Sequence, residues 1–203
     1  MFDIKKSIAA LVSLYFCFIP LSSAQMIKQQ FNLVHQSAAI ELDGQLNEAA
    51  WQQATHIPLI YRNEPVGDLT PPVKTDAYLF EDGDSLYVAF IAYDPDPTKI
   101  RAALRDRDDL WADDNVALMI DTFNDERTGY EFYVNPFGAQ GDMAMSDVNG
   151  WVEDPSWNAI WDSSARITPE GYIVEMRIPF SALRFPKGGA EQTWSIAVWR
   201  NYP

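Results

Sequence analysis

Apolar and polar residues alternate along much of the chain with a period of two, which is typical of half-buried β-strands. In VKTDAYLF (73–80), every second residue from Val73 onward falls on one face. LYVAFIAY (86–93) is apolar on both faces, which favours a central strand. The polar residues 81–84 between them contain Asp-Gly, a signal for a tight turn. We therefore predict a β-hairpin over these two runs.

Further runs of the same kind follow. NVALMIDTF (115–123) and GYEFYVNPF (129–137) flank a polar turn and predict a second hairpin. ITPEGYIVEMRIPF (167–180) contains a Pro-Glu-Gly turn, after which alternate apolar residues share one face, and TWSIAVW (193–199) predicts a last strand. NEAAWQQ (47–53) predicts one short helix, capped by Asn47. Many short strands and little helix predict an all-β protein, an antiparallel β-sandwich.

The N-terminus has the pattern of a secretory signal peptide. Lys5 and Lys6 precede a 12-residue apolar run (8–19), which is too short to span a bilayer comfortably, and small residues lead to a cleavage site after Ala24. A membrane anchor is the alternative reading of this segment. We predict a signal peptide over 1–24, a loosely held leader over 25–37 and a domain over 38–203, truncated at its C-terminal end. Cys17, the only cysteine, would leave with the signal peptide, so the mature chain would have no disulfide.

The formal net charge of −14 argues against nucleic acid and anionic lipid as partners. It is compatible with neutral ligands and with divalent cations. The two histidines, His35 and His56, both lie near the N-terminus, and no Gly-x-Ser-x-Gly motif is present. A catalytic triad and a zinc site are therefore not expected.

The acidic stretch RDRDDLWADD (105–114) allows three interpretations. It could supply a pair of catalytic carboxylates for glycoside hydrolysis, a set of calcium ligands, or a solvated loop. The spacing selects no acid with a raised pKa, so we do not expect catalysis by this domain, although a glycoside hydrolase could be attached to it. For structural calcium, the candidate ligands are Asp113, Asp114 and Asp121, and turn formation is the alternative role of these residues.

Seven tryptophans are many for a chain of this length. Trp51, Trp194 and Trp199 lie in periodic apolar segments and are predicted to be in the core. The other four lie in loop-like sequence among Asp, Asn and Gly, where each could stack on a sugar ring or close the end of the sandwich: Trp111, Trp151, Trp157 and Trp161.

Four ordered segments resemble family 9 carbohydrate-binding modules: IELDGQLNEAAW (40–51), WADDNVALMIDTF (111–123), YEFYVNPFGAQGD (130–142) and GYIVEMRIPFSALRF (171–185). The resemblance spans roughly residues 38–203. It implies a jelly-roll-like sandwich, similar also to DOMON domains, that binds poly- or oligosaccharides of glucan or xylan type between aromatic rings. It also implies bound structural Ca²⁺ and no organic cofactor.

The resemblance assigns roles to particular residues. Trp111 matches the first stacking ring, Asn135 matches a residue that bonds sugar hydroxyls, and the second ring is one of Trp151, Trp157 and Trp161. The sequence departs from the family pattern at two positions. Ala117 stands where sugar-binding members tend to carry an acid, and Tyr133 stands where they tend to carry arginine.

The segment FNDERTGYEFYVNPFGAQGD (123–142) is similar to a subgroup in which the module precedes a C-terminal region thought to form an outer-membrane barrel. We therefore expect export to the periplasm, outer membrane or extracellular space, with the chain's own C-terminal domain as a partner. The predicted function is a non-catalytic carbohydrate-binding module in a protein of carbohydrate catabolism. A structural domain of a barrel protein without a sugar site is the alternative, and a redox sandwich with Met143 or Met145 as axial ligand is a third reading.

Overall fold

The computed structural model describes residues 30–37, 39–63, 70–188 and 191–203. The predicted signal peptide (1–24) lies outside the described residues. Residues 32–203 form one compact unit. Across the described ranges, no helix is both long enough and apolar enough to cross a membrane.

The strands of the described residues form two sheets, as the predicted sandwich requires. Sheet I consists of β1 (Val34–His35), β2 (Thr55–Pro58), β3 (Thr75–Glu81), β4 (Ser85–Tyr93), β9 (Asp162–Thr168) and β10 (Gly171–Pro179). Its order is β1-β3-β4-β10-β9, with β2 also paired to β3. All its pairings are antiparallel except that of β1 with β3. The predicted hairpin of β3 and β4 is confirmed, and β4 is a central strand.

Sheet II consists of β5 (Asn115–Asp121), β6 (Thr128–Val134), β7 (Gln140–Ser146), β8 (Val152–Asp154) and β11 (Ser195–Asn201). Its order is β11-β5-β6-β7-β8, and every pairing is antiparallel. The predicted second hairpin is β5 with β6, and the predicted last strand is β11. The alternation of apolar residues did not predict β7, β8 and β9, because their sequences are rich in small and polar residues.

The core lies between the two sheets and is built by the alternation along their strands. Leu79, Val88 and Phe90 of sheet I and Leu118 and Phe132 of sheet II are fully buried in one apolar cluster. Burial of one such side chain stabilises the fold by about 1.5–3 kcal/mol. The inward-facing residues of β10 share this cluster, as the sequence predicted: Tyr172, Val174, Met176 and Ile178.

The outer face of sheet I is covered by the N-terminal part of the domain. The helix α1 (Ala49–Gln53) places Trp51 edge-on against Phe80, with ring centroids 4.9 Å apart. Its N-cap is Glu48 with no side-chain cap, so the predicted capping role of Asn47 is wrong. Trp51 is buried, as predicted.

Glu175 of β10 binds the N-terminal segment to sheet I through hydrogen bonds. One carboxylate oxygen accepts the indole N–H of Trp51 at 3.2 Å, and the other accepts the backbone N–H groups of Asp43 and Gly44 at 3.0 and 2.7 Å. Gly44 has φ +77°, and a Cβ there would lie 2.6 Å from the Cβ of Arg166. Burial raises the pKa of Glu175 to about 7, against the lowering effect of its backbone hydrogen bonds. The N-terminal segment thus covers the part of the outer face of sheet I around Phe80, Tyr87 and Glu175.

Candidate functional site

The outward-pointing side chains of sheet II include aromatic, methionine and acidic residues. Cross-strand partners in an antiparallel sheet point to the same side, so the register places Ala117 beside Trp199 and Tyr133, and Tyr133 beside Gly141. The next rows continue the same face, which we call the outer face of sheet II: Met119, Glu131 and Met143, then Gly129, Met145 and Glu153.

Trp111 precedes β5 and borders this face. Its side chain is 43% exposed, and its ring meets Tyr133 edge-on, with centroids 5.0 Å apart and an interplanar angle of 86°. Tyr133 in turn meets Trp199 edge-on at 5.6 Å. Trp199, which the sequence predicted to be in the core, is partly buried and is the third ring of this row. Edge-to-face pairs of this kind hold aromatic rings in a defined orientation.

Because Gly141 has no side chain, Trp111 and its neighbour Leu110 can pack directly against the backbone of β7. A Cβ at position 141 would lie 2.8 Å from Leu110 Cδ2 and 3.3 Å from Trp111 Cη2. The loop is also tied to β7 by its backbone, since the N–H of Asp108 donates to the carbonyl of Gln140 at 2.9 Å. The position of Trp111 is thus set by the start of β7.

A buried carboxylate beneath the loop adds a second anchor. Asp142 is fully buried and pairs with Arg107 through both of its oxygens, at 3.1 and 2.7 Å. The same carboxylate accepts the backbone N–H of Ala159 at 2.7 Å and the indole N–H of Trp161 at 3.3 Å. Asp142 therefore joins the Trp111 loop to the segment that carries Trp157 and Trp161.

Asn135 is fully buried and does not reach the outer face. Its Nδ2 donates to the carbonyl of Ala103 at 2.8 Å and to Asp113 at 2.9 Å, and its Oδ1 accepts the N–H groups of Phe137 and Ala139, both at 2.9 Å. All the usual hydrogen bonds of the amide are made within the protein. In this structure Asn135 ties the loop to a turn, and we leave it out of the proposed binding site.

The three candidates for a second ring lie in different environments. Trp151 is 57% exposed, and its indole N–H donates to Glu153, a residue of the outer face of sheet II, at 2.9 Å. Trp161 is 5% exposed, with its ring edge-on to Phe132 at 5.2 Å in the core. Trp157 is partly buried and packs against Tyr130 at 4.7 Å. Trp151 alone among these three shares a face with Trp111.

Glu131 is the residue of this face that sequence reasoning missed. It is only 4% exposed although it points away from the core, between Met119 and Met143 in the register. Its carboxylate accepts the hydroxyl of Tyr133 at 2.5 Å. Burial raises the pKa of Glu131, the Tyr133 hydrogen bond opposes this, and the negative charge of Glu153 adds to it. Only the register, which the sequence does not give, reveals this buried acid.

A family model described as carbohydrate family 9 binding domain-like matches residues 42–201. The chain belongs to this family. Its fold is similar to that of a family 9 carbohydrate-binding module from Caldicellulosiruptor kristjanssonii, solved in complex with glucose and in complex with cellotriose. The glucose complex has a TM-score of 0.56 at 18% identity, with 82% of this chain and 75% of that chain covered. The cellotriose complex has a TM-score of 0.54 at 19% identity, with the same coverage. No curated protein matches the sequence.

The two departures from the family 9 pattern occur at one place. Ala117 of β5 and Tyr133 of β6 are direct cross-strand partners on the outer face of sheet II. Tyr133 adjoins Trp111, so the exchange changes the surroundings of the candidate stacking ring. At this place the chain has a small side chain and an aromatic ring where the family resemblance predicts an acid and an arginine.

The aspartates that the acidic sequence suggested as calcium ligands make other contacts in the structure. Asp113 pairs with Arg105 at 3.1 Å; burial pulls its pKa up, but hydrogen bonds from Arg105, Asn135 and Ala103 hold the pKa below its usual value. Asp114 pairs with Arg200 at 3.2 Å, and Asp121 accepts two backbone N–H groups of the following turn.

These positions do not fit a calcium site, because a guanidinium or backbone donor already takes each carboxylate. Within the ranges that the structure describes, no group of three or more His, Cys, Asp or Glu side chains could hold a metal ion. Bound calcium stays a prediction, and we derive no role for it from these residues.

Proposed function

We propose that this family 9 domain is a non-catalytic module that binds an oligo- or polysaccharide on the outer face of sheet II. The observation that carries the proposal is the ring of Trp111, which is 43% exposed and is fixed edge-on by Tyr133. A pyranose presents a face of C–H groups that packs on an indole, and a ring held in place before binding loses little conformational entropy on binding. Trp151 is the second ring in this proposal.

The polar groups of the same face suit sugar hydroxyls. Glu153 accepts the indole N–H of Trp151, and Glu131 accepts the hydroxyl of Tyr133, the ring that packs on Trp111. Sugar hydroxyls are donors that such carboxylate oxygens accept. The related module of the same fold was solved with glucose and with cellotriose, which supports a glucan-type ligand here, with xylan-type chains as the close alternative.

We further propose that the protein is exported, to the periplasm, outer membrane or extracellular space, and serves carbohydrate catabolism. The sequence pattern of residues 1–24 supports export. N-terminal sequencing of the protein purified from the producing cell would begin at Gln25 if cleavage follows Ala24. A sequence beginning at Met1 would contradict export by this signal.

Calorimetric titration with cellotriose and xylotriose tests sugar binding. Trp111→Ala and Trp151→Ala should each weaken binding about tenfold or more, because truncating a central aromatic anchor typically costs at least about 2 kcal/mol. Tyr61→Ala is the matched control, since Tyr61 is an exposed ring after β2 of sheet I. Equal affinities for wild type and both Trp variants would refute the stacking role.

A structural domain without a sugar site is the second candidate function. The observation that favours it is the fully engaged amide of Asn135, together with Ala117 and Tyr133 at the two positions where the family resemblance predicts an acid and an arginine. Absence of measurable heat with every sugar, from a folded wild-type protein, would support this candidate over the first.

A further inference from the structure

The outer face of sheet II combines aromatic rings with carboxylates and lacks basic side chains. None of the outward-pointing positions in the described strands of sheet II is lysine or arginine. The charged neighbour of Glu131 is another acid, Glu153. The same two acids act on Tyr133, whose pKa they raise together with burial, which is the largest cause. The described strands therefore place carboxylate acceptors and no cationic side chain on this face.

The burial of the Glu131 carboxylate at this position is energetically unfavourable. A carboxylate with 4% exposure has lost most of its hydration, and its only described hydrogen bond is the one from Tyr133. A buried charge is normally offset by an opposite charge or by several donors. Among its described contacts Glu131 has neither, and the nearby charge that acts on it is the carboxylate of Glu153, which accepts the indole N–H of Trp151.

We infer that this face selects glycans that carry protonated amino groups, such as oligomers of glucosamine, and that Glu131 is the residue that determines this specificity. The inference rests on the proposed sugar-binding function of the same face. An ammonium group would supply the missing positive charge and donate hydrogen bonds to Glu131 and Glu153. The exposed indoles of Trp111 and Trp151 would add cation–π attraction.

The burial of Glu131 makes it more effective than an exposed acid. Charge pairs in a partly desolvated site are screened less by water and salt than pairs in solvent. The overall charge of −14 would attract any cation weakly and without a preferred site. A local effect of Glu131 can therefore be separated from the general charge by exchanging one acid at a time.

The test compares three β-1,4-linked trisaccharides by calorimetric titration of the whole chain: the glucosamine trimer, cellotriose and the glucuronic acid trimer. The titrations use a pH at which the amines are protonated. Wild type should bind the glucosamine trimer roughly tenfold more tightly than cellotriose, and the glucuronic acid trimer least tightly. Glu131→Gln should abolish the preference for the glucosamine trimer over cellotriose, whatever it does to the affinity for cellotriose itself. Glu170→Gln is the control, because Glu170 is an exposed acid in the turn between β9 and β10 of sheet I.

The outcomes separate this inference from the proposed function. If wild type binds cellotriose as tightly as the glucosamine trimer, the inference fails and sugar binding stands. If Glu131→Gln keeps the preference, or Glu170→Gln loses it equally, the selectivity comes from general charge and the role of Glu131 is refuted. Absence of binding to all three sugars overturns both proposals. Thermal melting checks the fold of Glu131→Gln; should that variant not fold, the exposed Glu153→Gln decides, with an expected partial loss of the preference.

Discussion

Tyr133 contacts Trp111 edge-on at 5.0 Å and donates its hydroxyl to Glu131 at 2.5 Å. One side chain therefore fixes both the exposed indole and the buried carboxylate of the outer face of sheet II. The ring and the hydroxyl of Tyr133 have separate partners, so substitution can separate the two contacts.

Tyr133→Phe and Tyr133→Ala should differ in their effect on cellotriose binding. The phenylalanine variant keeps the ring that packs on Trp111, so we expect an affinity within about threefold of wild type. The alanine variant removes the support of Trp111, and we expect a loss of about tenfold or more. Calorimetric titration checks both. A wild-type affinity in Tyr133→Ala would show that Trp111 needs no support from this ring.

Gly141→Ala should displace Trp111 without unfolding the domain. The added methyl would approach Leu110 Cδ2 to 2.8 Å, so the loop has to shift outward, at a cost of about 1–3 kcal/mol in the free energy of unfolding. We expect a changed tryptophan emission spectrum and weaker cellotriose binding. An unchanged spectrum with unchanged affinity would mean that the loop absorbs the methyl group while Trp111 stays in place.

Asp142→Asn should destabilise the domain through the loop anchor. The change removes the charge that pairs with Arg107 and weakens the acceptor for Trp161. Since Arg107 is partly exposed, we expect a loss of about 2–3 kcal/mol, below the range for fully buried pairs. Chemical denaturation measures it. Asp109→Asn, at an exposed position in the same loop, is the control and should change stability by less than about 0.5 kcal/mol.

The stability contribution of Glu175 should depend on pH with a defined sign. Its pKa is raised from 4.5 to about 7 in the folded state, so the fold binds the proton more tightly than the unfolded chain does. The contribution is full below pH 4.5 and is lost as pH rises through about 7. Relative to Glu175→Gln, the wild-type free energy of unfolding should fall by up to about 3 kcal/mol across this window. Denaturation at several pH values measures the difference, and a constant difference would contradict the shifted pKa.

The hairpins were predictable because alternation with a period of two is a local property of the sequence. The β3–β4 and β5–β6 pairs needed only apolar alternation and a turn signal between two runs. The burial of Trp161 was not predictable, because it depends on Asp142 and Phe132, which are distant in sequence. Trp151 lies in similar polar sequence and is exposed, so local composition does not distinguish these two tryptophans.

The position of Glu131 depends in the same way on long-range order. In GYEFYV an acid at an alternate position is ordinarily exposed to solvent, since one face of a two-layer sandwich faces water. Here the neighbouring strands place Met119 and Met143 directly opposite it, and the acid is buried. The resemblance pointed to Trp111, but the acid that shares its face emerged only from the pairing of three strands.

Helix α1 packs on the outer face of sheet I, so mutations on the two outer faces of the sandwich have different effects. Substitutions beneath Trp51 and around Glu175 alter how firmly the domain closes on itself. Substitutions on the outer face of sheet II instead change the packing of that face, where Glu131 and Met143 are buried and a Cβ at Gly141 would lie 2.8 Å from Leu110. The two-sheet core is thus complete although Ala117 and Tyr133 stand where the family resemblance predicts an acid and an arginine.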